Sequence, residues 1–233
     1  EAAVCFDRIL ETNDEDVNVW TKMAQALMSA GDPSEAVESL RSAVNNGVQN
    51  WEIWLALGRA LRCAGKPADS LSAFDKAYSI EDETDILVEK SKALFELKKY
   101  RQVVKTIENV PGADKKALLM KADSLRELGS FKEAIKTYKD VVSEGSPQDL
   151  GWYGMSLTYS LMKKPRDALR CIDMALAINE NCAEYWYEKG ILLSGSRSKK
   201  KALEYLEVAV EIDPDFSEAR KERDRIAERW DGK

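Results

Sequence analysis

The sequence has no histidine in 233 residues and only four cysteines, so it lacks the usual components of many catalytic and metal sites. Imidazole bases, most catalytic triads and mixed Cys/His zinc sites are therefore excluded. The cysteines Cys5, Cys63, Cys171 and Cys182 are widely spaced, without the paired spacing of a four-cysteine metal site. We expect reduced thiols packed as small apolar side chains, as in a cytoplasmic protein.

Glycine-rich phosphate loops are also missing, since neither GxGxxG nor GxxxxGKS/T occurs. Acidic groups such as Glu81, Asp82 and Glu83 could support acid–base chemistry, but their charged surroundings are typical of a solvated helix junction. We therefore expect no enzymatic activity, no cofactor and no metal site in this chain.

Glycine and proline are scarce, with 12 and 6 copies, which favours long helices over many tight turns. No apolar run approaches the roughly 18–20 residues that span a bilayer. The formal net charge of −6 gives nucleic acid no general attraction. The basic run Lys199–Lys201 has no accompanying aromatic or glycine-rich element. Neither a membrane nor nucleic acid is therefore expected as a partner.

Large residues recur at intervals of 31 to 34 positions and mark six copies of one pattern. These residues are Trp20, Trp54, Leu87, Leu118, Trp152 and Trp186. In the second copy, Trp54, Leu57 and Gly58 share one helical stripe, and Phe74 and Ala77 form another beyond a Gly-Lys-Pro break. One helical hairpin cannot bury both of these stripes by itself, so the copies are expected to stack.

The repeat register predicts where each unit begins and ends. Residues 1–14 match only the second helix of a hairpin and are expected to be a truncated repeat. The six repeats are expected at 17–50, 51–83, 84–114, 115–148, 149–182 and 183–214, followed by a capping helix over 215–233. The third repeat is short, because Pro111-Gly112 should end its second helix near Val110. This is either a shorter helix that changes the local twist or a plain loop deletion.

Helix ends are predicted from local chemistry. Left-handed residues are expected at Gly31, Gly65 and Gly129, and the segments containing Lys98 and Lys163 should serve the same purpose. Asp32 and Ser130, each with a glutamate three residues later, are expected to form capping boxes, and Asp215 with Glu218 a further cap pair.

These residues resemble the tetratricopeptide repeat, whose 34-residue pattern is W-x2-L-G-x2-Y followed by A-x3-F and a proline. Trp54, Leu57 and Gly58 carry the first part, and Ala202 and Leu206 match the second. The resemblance covers nearly the whole chain. It implies an all-α solenoid in which antiparallel helix pairs stack into a right-handed superhelix. It also implies that each first helix lines a concave groove, which holds a peptide or a partner's segment without catalysis.

In this register, the exposed positions of the first helices are expected to face the groove. They are Lys22, Gln25, Leu55, Arg59, Arg62, Glu89, Lys92, Met120, Asp123, Arg126, Tyr153, Leu157, Tyr187, Glu188 and Ile191. The N-terminal half of this set has a basic bias, and the C-terminal half is aromatic and apolar. A protein or peptide with an acidic end and an aromatic or aliphatic end would match this gradient. Tyr153 and Tyr187, one repeat apart, are expected to form a continuous surface.

The family's clamp for chaperone C-terminal carboxylates is not expected here. That clamp uses Lys and Asn on one first helix, Asn on the next, and Lys and Arg on the third. The matching positions hold Thr21 and Gln25, then Ala56, then Asp85 and Glu89. None of the five matches, and the two acids would repel a carboxylate.

Three hypotheses for function follow. The first is a non-catalytic scaffold that binds a peptide or partner segment in the groove. The second is self-assembly into homo-oligomers through the open N-terminal repeat end. The third is a regulatory module of a larger enzyme or membrane protein.

Overall fold

The computed structural model describes residues 16–143, 148–195 and 198–228. Within these ranges the chain forms thirteen α-helices and no strand. The helices are α1 (Val17–Ala30), α2 (Pro33–Asn45), α3 (Trp51–Cys63), α4 (Pro67–Ile80), α5 (Thr84–Glu96), α6 (Tyr100–Glu108), α7 (Lys115–Glu127), α8 (Phe131–Val142), α9 (Asp149–Leu161), α10 (Pro165–Ile178), α11 (Ala183–Ser194), α12 (Lys199–Ile212) and α13 (Ser217–Glu228). The prediction of an all-α helical-repeat fold is confirmed.

The helices come in hairpins, and left-handed residues make the turns of the first five. In the sixth, Gly195 has a φ of −78°. Gly31, Gly65 and Gly129 have φ values of 91°, 74° and 76°, as the sequence predicts. Lys98 and Lys163 adopt the same conformation, with φ of 56° and 57°. A left-handed residue costs a side chain about 1–2 kcal/mol, so these two lysines carry backbone strain that glycine would not.

The predicted capping boxes do not form as hydrogen-bonded pairs. Asp32 and Ser130 precede α2 and α8, but neither side chain accepts a bond from the helix. Side-chain caps are found instead at Asp16, which accepts from the N–H groups of Asn18 and Val19, and at Asn50. The N–H of Asp32 donates to Leu27 O across the tight Gly31 turn. This bond holds the backbone of Asp32 outside the extended conformation that a capping residue needs.

The third hairpin has the irregularity that the sequence indicates. Its second helix, α6, has nine residues, whereas the other second helices have 12 to 14. It ends at Glu108, two residues before the buried Val110 and just before Pro111. The shortening is therefore in the helix itself.

The chain forms two compact units, residues 1–120 and 121–233, which we call unit 1 and unit 2. In unit 1, the main apolar core contains residues from both helices of the first two hairpins, including Trp20, Leu40, Trp54 and Phe74, and from α5 of the third. A smaller cluster around Leu94, Val103 and Ile107 follows.

Unit 2 is built in the same way. Among its described residues, one hydrophobic cluster is centred on Ile172 and Tyr185 and another on Leu206 and Ile226. The last helix, α13, places Ala219 and Ile226 in the interior and leaves most of its charged residues towards solvent.

Glycines on the first helices allow close approach of large side chains from second helices. A Cβ on Gly58 would lie 2.4 Å from Phe74 Cε1, and one on Gly190 would lie 2.8 Å from Leu206 Cγ. Both pairs join helices of the same hairpin. The recurring small residue is therefore required by packing within the hairpin.

The terminal predictions are only partly covered by the structure. Residues 1–14, predicted as a truncated repeat, and Trp230 lie outside the described residues. The last helix begins at Ser217, so Asp215 is not its N-cap, and the N–H of Asp215 donates to Asp213 Oδ1 at 3.0 Å. The turn at Asp213 therefore delays the helix by two residues.

Candidate functional site

The fifteen residues predicted to line the groove lie on the first helices α1, α3, α5, α7, α9 and α11. Lys22 and Gln25 are exposed, and ten others are partly exposed. Leu55, Glu89 and Glu188 are buried, with 6%, 8% and 7% of their surface accessible. The expectation that all fifteen are exposed is therefore wrong for these three. Leu55 belongs to the apolar core of unit 1, and Glu89 is approached by Arg59 and Arg62 of α3.

A pocket of about 410 Å³ opens between the first helices of unit 1. It is lined by Asn18, Thr21, Gln25, Met28, Trp51, Glu52, Leu55, Ala56, Arg59 and Asp85, from α1, α3 and α5. Three predicted groove residues, Gln25, Leu55 and Arg59, lie in this lining. Its walls combine an apolar surface with amide, hydroxyl and charged groups, which is the composition of many ligand sites.

Beside this pocket, three cations surround the buried carboxylate of Glu89. Arg59 Nε lies 3.4 Å from Glu89 Oε1, Arg62 Nη2 lies 3.6 Å from Oε2, and Lys92 Nζ lies 2.9 Å from Oε1. Arg62 also donates to Glu96 at 2.8 Å. We call these five residues the Glu89 cluster, and its formal charge is positive by one unit.

The Glu89 cluster ties most of the predicted basic surface to acids of the same chain. Burial opposes the charge of Arg62, but its hydrogen bond to Glu96 and the charges of Glu96 and Glu89 raise its pKa. Arg59 is the least constrained cation, because its side chain is 40% exposed and its ion pair is long. Its Nε has no hydrogen-bond partner. Arg59 is thus the most available cation of the Glu89 cluster, and it is also the guanidinium that lines the pocket.

In unit 2, the predicted groove residues Asp123 and Arg126 bind each other and Tyr138 of α8. Tyr138 Oη donates to Asp123 Oδ1 at 2.6 Å, and Arg126 Nη1 donates to the same oxygen at 3.0 Å. Burial and the neighbouring Asp123 raise the pKa of the Tyr138 hydroxyl far above its usual range. Burial also raises the pKa of Asp123, although the bonds from Tyr138 and Arg126 act in the opposite direction.

The tyrosines of unit 2 pack against aromatic rings of other helices or turns. The ring of Tyr153 lies 4.9 Å from that of Tyr185, and the ring of Tyr187 lies 5.1 Å from that of Phe216. Each of these two tyrosines thus has an aromatic partner of its own, and their continuous surface stays a prediction. Burial and the charge of Glu188 raise the pKa of Tyr153 to about 12.

Glu188 itself is a buried acid without a hydrogen-bonding partner for one of its oxygens. Its Oε1 atom is buried and accepts no bond. Burial raises the pKa of its carboxyl group, and no neighbouring positive charge opposes this shift. Within the residues that the structure describes, Glu188 therefore lacks the neighbouring cations that surround Glu89.

A second pocket, of about 470 Å³, lies in unit 2 among α8, α9 and α10. Its lining is Lys139, Trp152, Met155, Tyr159, Asp167, Arg170, Cys171, Asp173 and Met174. The sequence analysis did not find it, because it depends on second helices whose exposed residues follow no repeat signature. The only sequence signal is the exposed methionine at 174 on an otherwise polar helix face.

Within the described residues, no group of three or more acidic or cysteine side chains is arranged to hold a metal ion. The described cysteines, Cys63, Cys171 and Cys182, are free thiols. None of the helices in the ranges covered is long and apolar enough to cross a membrane.

Comparison with known families decides the assignment of the chain. Tetratricopeptide repeat models match residues 21–86, 116–144 and 183–216, which together make up more than half of the sequence. The chain belongs to the tetratricopeptide repeat family. The first helices of these TPR units are the ones that carry the pocket of unit 1 and Glu188 of unit 2.

Solved structures of other TPR and related proteins have a similar fold. PilW, a type IV pilus biogenesis factor, has a TM-score of 0.76 and 18% identity over 88% of this chain and 97% of its own. A chain of the APC/C hetero-tetramer Cut9–Hcn1 has a TM-score of 0.71 and 13% identity. That match covers 97% of this chain and 45% of the other, so this chain spans less than half of that relative.

A third structure is YrrB, a TPR protein with an unusual peptide-binding site. Its TM-score is 0.51, with 17% identity over 95% of this chain and 99% of its own. Because all three identities are low, these likenesses show the shared fold alone. No curated protein sequence matches the chain significantly.

Proposed function

We propose that this TPR protein is a non-catalytic interaction scaffold that binds a peptide or a partner's segment along its first helices. The observation that carries the proposal is the 410 Å³ pocket of unit 1, whose lining residues all lie on first helices. A pocket of this size is large enough for one or two side chains of a ligand. Cytoplasmic location, favoured by the free thiols, belongs to the same proposal.

The lining of the pocket indicates the chemistry of the ligand. Met28, Trp51 and Leu55 offer an apolar surface for an aliphatic or aromatic side chain. Gln25 offers an amide that can bond to an extended backbone, and Arg59 offers a guanidinium for a carboxylate. A peptide with an acidic residue next to an apolar one would satisfy both parts of this surface.

The same lining disfavours a chaperone-type C-terminal carboxylate. Thr21, Gln25, Ala56 and Asp85, which stand at four clamp positions, all line the pocket. None of them is a cation, and Asp85 would repel a terminal carboxylate at short range. We therefore propose an internal peptide segment as the ligand.

YrrB, which has a similar fold and a peptide-binding site, supports a peptide as the kind of ligand. The ligand of YrrB is not transferred to this chain, because the two sequences are only 17% identical.

A peptide selection tests the proposal. A random peptide library is selected against the purified chain, and the affinity of the strongest peptide is then measured by fluorescence anisotropy. Arg59→Gln should weaken binding about ten- to a hundredfold, since a charged hydrogen bond contributes about 1.5–3 kcal/mol. Gln25→Ala should weaken it about three- to tenfold. Arg101→Gln, on an exposed part of the second helix α6, is the matched control and should leave the affinity unchanged.

Two outcomes would contradict this function. Either no peptide is selected, or the selected peptide binds equally well to the Arg59→Gln and Gln25→Ala variants. Light scattering at two concentrations addresses the alternative of self-assembly, because a mass that rises with concentration indicates contact between copies. The alternative of a regulatory module predicts that the affinity for peptides changes when adjoining segments of the full-length protein are present.

A further inference from the structure

The inference concerns Glu188, a buried acid on the first helix α11 of unit 2, and it rests on the proposed first-helix binding function. We infer that Glu188 is the acceptor for a basic side chain of the bound partner segment. The Glu188 site of unit 2 would then bind a lysine or arginine side chain.

The repeat register places Glu188 and Glu89 at the same position of their repeats. Each lies two residues after the large residue that opens the hairpin, Trp186 in one case and Leu87 in the other. Both are buried, at 7% and 8% exposure. The fold therefore places two buried carboxylates at the same repeat position, one in each unit.

The side chains around the two positions differ in charge. Glu89 is neutralised by Arg59, Arg62 and Lys92 within 4 Å. In the repeat register, the residues that correspond to these three cations around Glu188 are Leu157, Ser160 and Ile191. All three cations are thus replaced by uncharged residues, and the acid is kept.

Two cations of unit 2 are occupied elsewhere. Lys189, the next residue, pairs with Asp173 at 2.9 Å and lies over the ring of Tyr205. Arg126 is bound to Asp123 and Glu127. Across the described residues no ion pair involves Glu188, and its Oε1 has no hydrogen-bond partner. A buried carboxylate in this condition is costly, and a cation brought by a ligand would relieve the cost.

The aromatic residues near Glu188 suit the same ligand. Burial raises the pKa of Tyr153 and of Tyr187, and the charge of Glu188 adds to both shifts. Aromatic rings attract ammonium and guanidinium groups, and guanidinium also stacks on them. Tyrosine side chains that sense the charge of this carboxylate therefore favour a basic side chain over a neutral or acidic one.

The probe for the test is the blocked tripeptide acetyl-Gly-Arg-Gly-amide, compared with the same peptide carrying citrulline, which is nearly isosteric and uncharged. Binding is followed by NMR through the side-chain carboxyl carbon of Glu188 and the ring signals of Tyr153 and Tyr187. The wild-type protein should bind the arginine probe about tenfold or more tightly than the citrulline probe. The Glu188 carboxyl should also titrate at lower pH when the arginine probe is bound.

Two variants complete the experiment. Glu188→Gln keeps the shape of the side chain and should reduce the preference for arginine to less than twofold. Glu207→Gln, an exposed acid on α12, is the matched control and should retain the full preference. Circular dichroism checks that each variant is folded. If Glu188→Gln does not fold, the titration of Glu188 in the wild type with and without the arginine probe decides the question alone.

Equal affinities for the two probes, or an unchanged preference in Glu188→Gln, would overturn the inference. An unmoved titration of Glu188 in the presence of the arginine probe would do the same. These outcomes differ from failure of the proposed function, which is judged by selected peptides and by variants of unit 1. If Arg59→Gln weakens a selected peptide while the Glu188 site shows no preference for arginine, only the present inference fails.

Discussion

Replacing Gly58 by alanine should destabilise the protein by about 2 kcal/mol, because the new methyl group has no room. A Cβ at this position would lie 2.4, 2.6 and 2.8 Å from Cε1, Cδ1 and Cζ of Phe74. Carbon atoms prefer separations of about 3.5–4.0 Å, so the ring must move by about 1 Å. Phe74 is fully buried, and its neighbours leave it no open direction.

The magnitude is the balance of two effects. Overpacking a well-packed core costs about 1–3 kcal/mol, and contact with three ring atoms places Gly58→Ala at the upper end. Alanine gains about 1 kcal/mol over glycine inside a helix, which offsets part of this cost. The net loss is therefore about 2 kcal/mol. Urea denaturation followed by circular dichroism at 222 nm measures the free energy of unfolding.

Two further variants separate packing from backbone effects. Gly195→Ala is the matched control, because nothing lies within 4 Å of its Cβ position and its φ is −78°. It should be neutral or slightly stabilising. Phe74→Leu removes Cε1 and Cζ, so Gly58→Ala should cost less than about 1 kcal/mol in that background. The reasoning is refuted if Gly58→Ala raises stability by about 1 kcal/mol, which helix propensity alone predicts, or costs the same in both backgrounds.

Three other predictions follow from strained or buried groups. Lys98→Gly and Lys163→Gly should each raise the free energy of unfolding by about 0.5–1 kcal/mol, because glycine removes the left-handed strain at φ of 56° and 57°. Thermal melts measure this change, and an unchanged melting temperature would contradict the prediction. Tyr138→Phe should lower the free energy of unfolding, measured in urea, by about 1–3 kcal/mol, because the partly buried Asp123 loses its 2.6 Å hydrogen bond. An unchanged free energy of unfolding would contradict this and show that water replaces the tyrosine hydroxyl.

Glu188→Gln should stabilise the ligand-free protein at pH 7. Burial raises the pKa of Glu188 in the folded state, so the wild type loses stability as pH rises from the ordinary value of 4.5 through the raised pKa. Unfolding measured between pH 4 and pH 8 should show the advantage of the variant vanish at the acidic end. An advantage independent of pH would contradict the assignment.

Much of the fold could be predicted from the sequence because its signals are local. The left-handed caps at Gly31 and Lys98 depend on a turn of a few residues, and both are found. The shortened α6 follows directly from Pro111, which cannot continue a helix. The capping boxes at Asp32 and Ser130 are the local prediction that failed, since the tight turn before each helix sets the backbone of the cap residue.

The candidate site was predicted less well, because exposure and charge pairing depend on residues from other helices. Leu55 occupies a helix position that is expected to be exposed, yet it joins the core of unit 1. Asp123 and Arg126 are expected to face a ligand, and the structure adds bonds between each of them and Tyr138 of the following helix. No periodicity within one helix contains this information.

By itself, the sequence determined the repeat spacing, the helical hairpins and the family, because apolar stripes and turn residues act within tens of residues along one chain. Tertiary structure alone decided which of two equivalent acids has partners. Glu89 meets Arg59 and Arg62 across packed helices, whereas Glu188 is buried without a cation. The physical reason is that the energy of a buried charge depends on what stacking brings within about 4 Å of it, and no single helix specifies those neighbours.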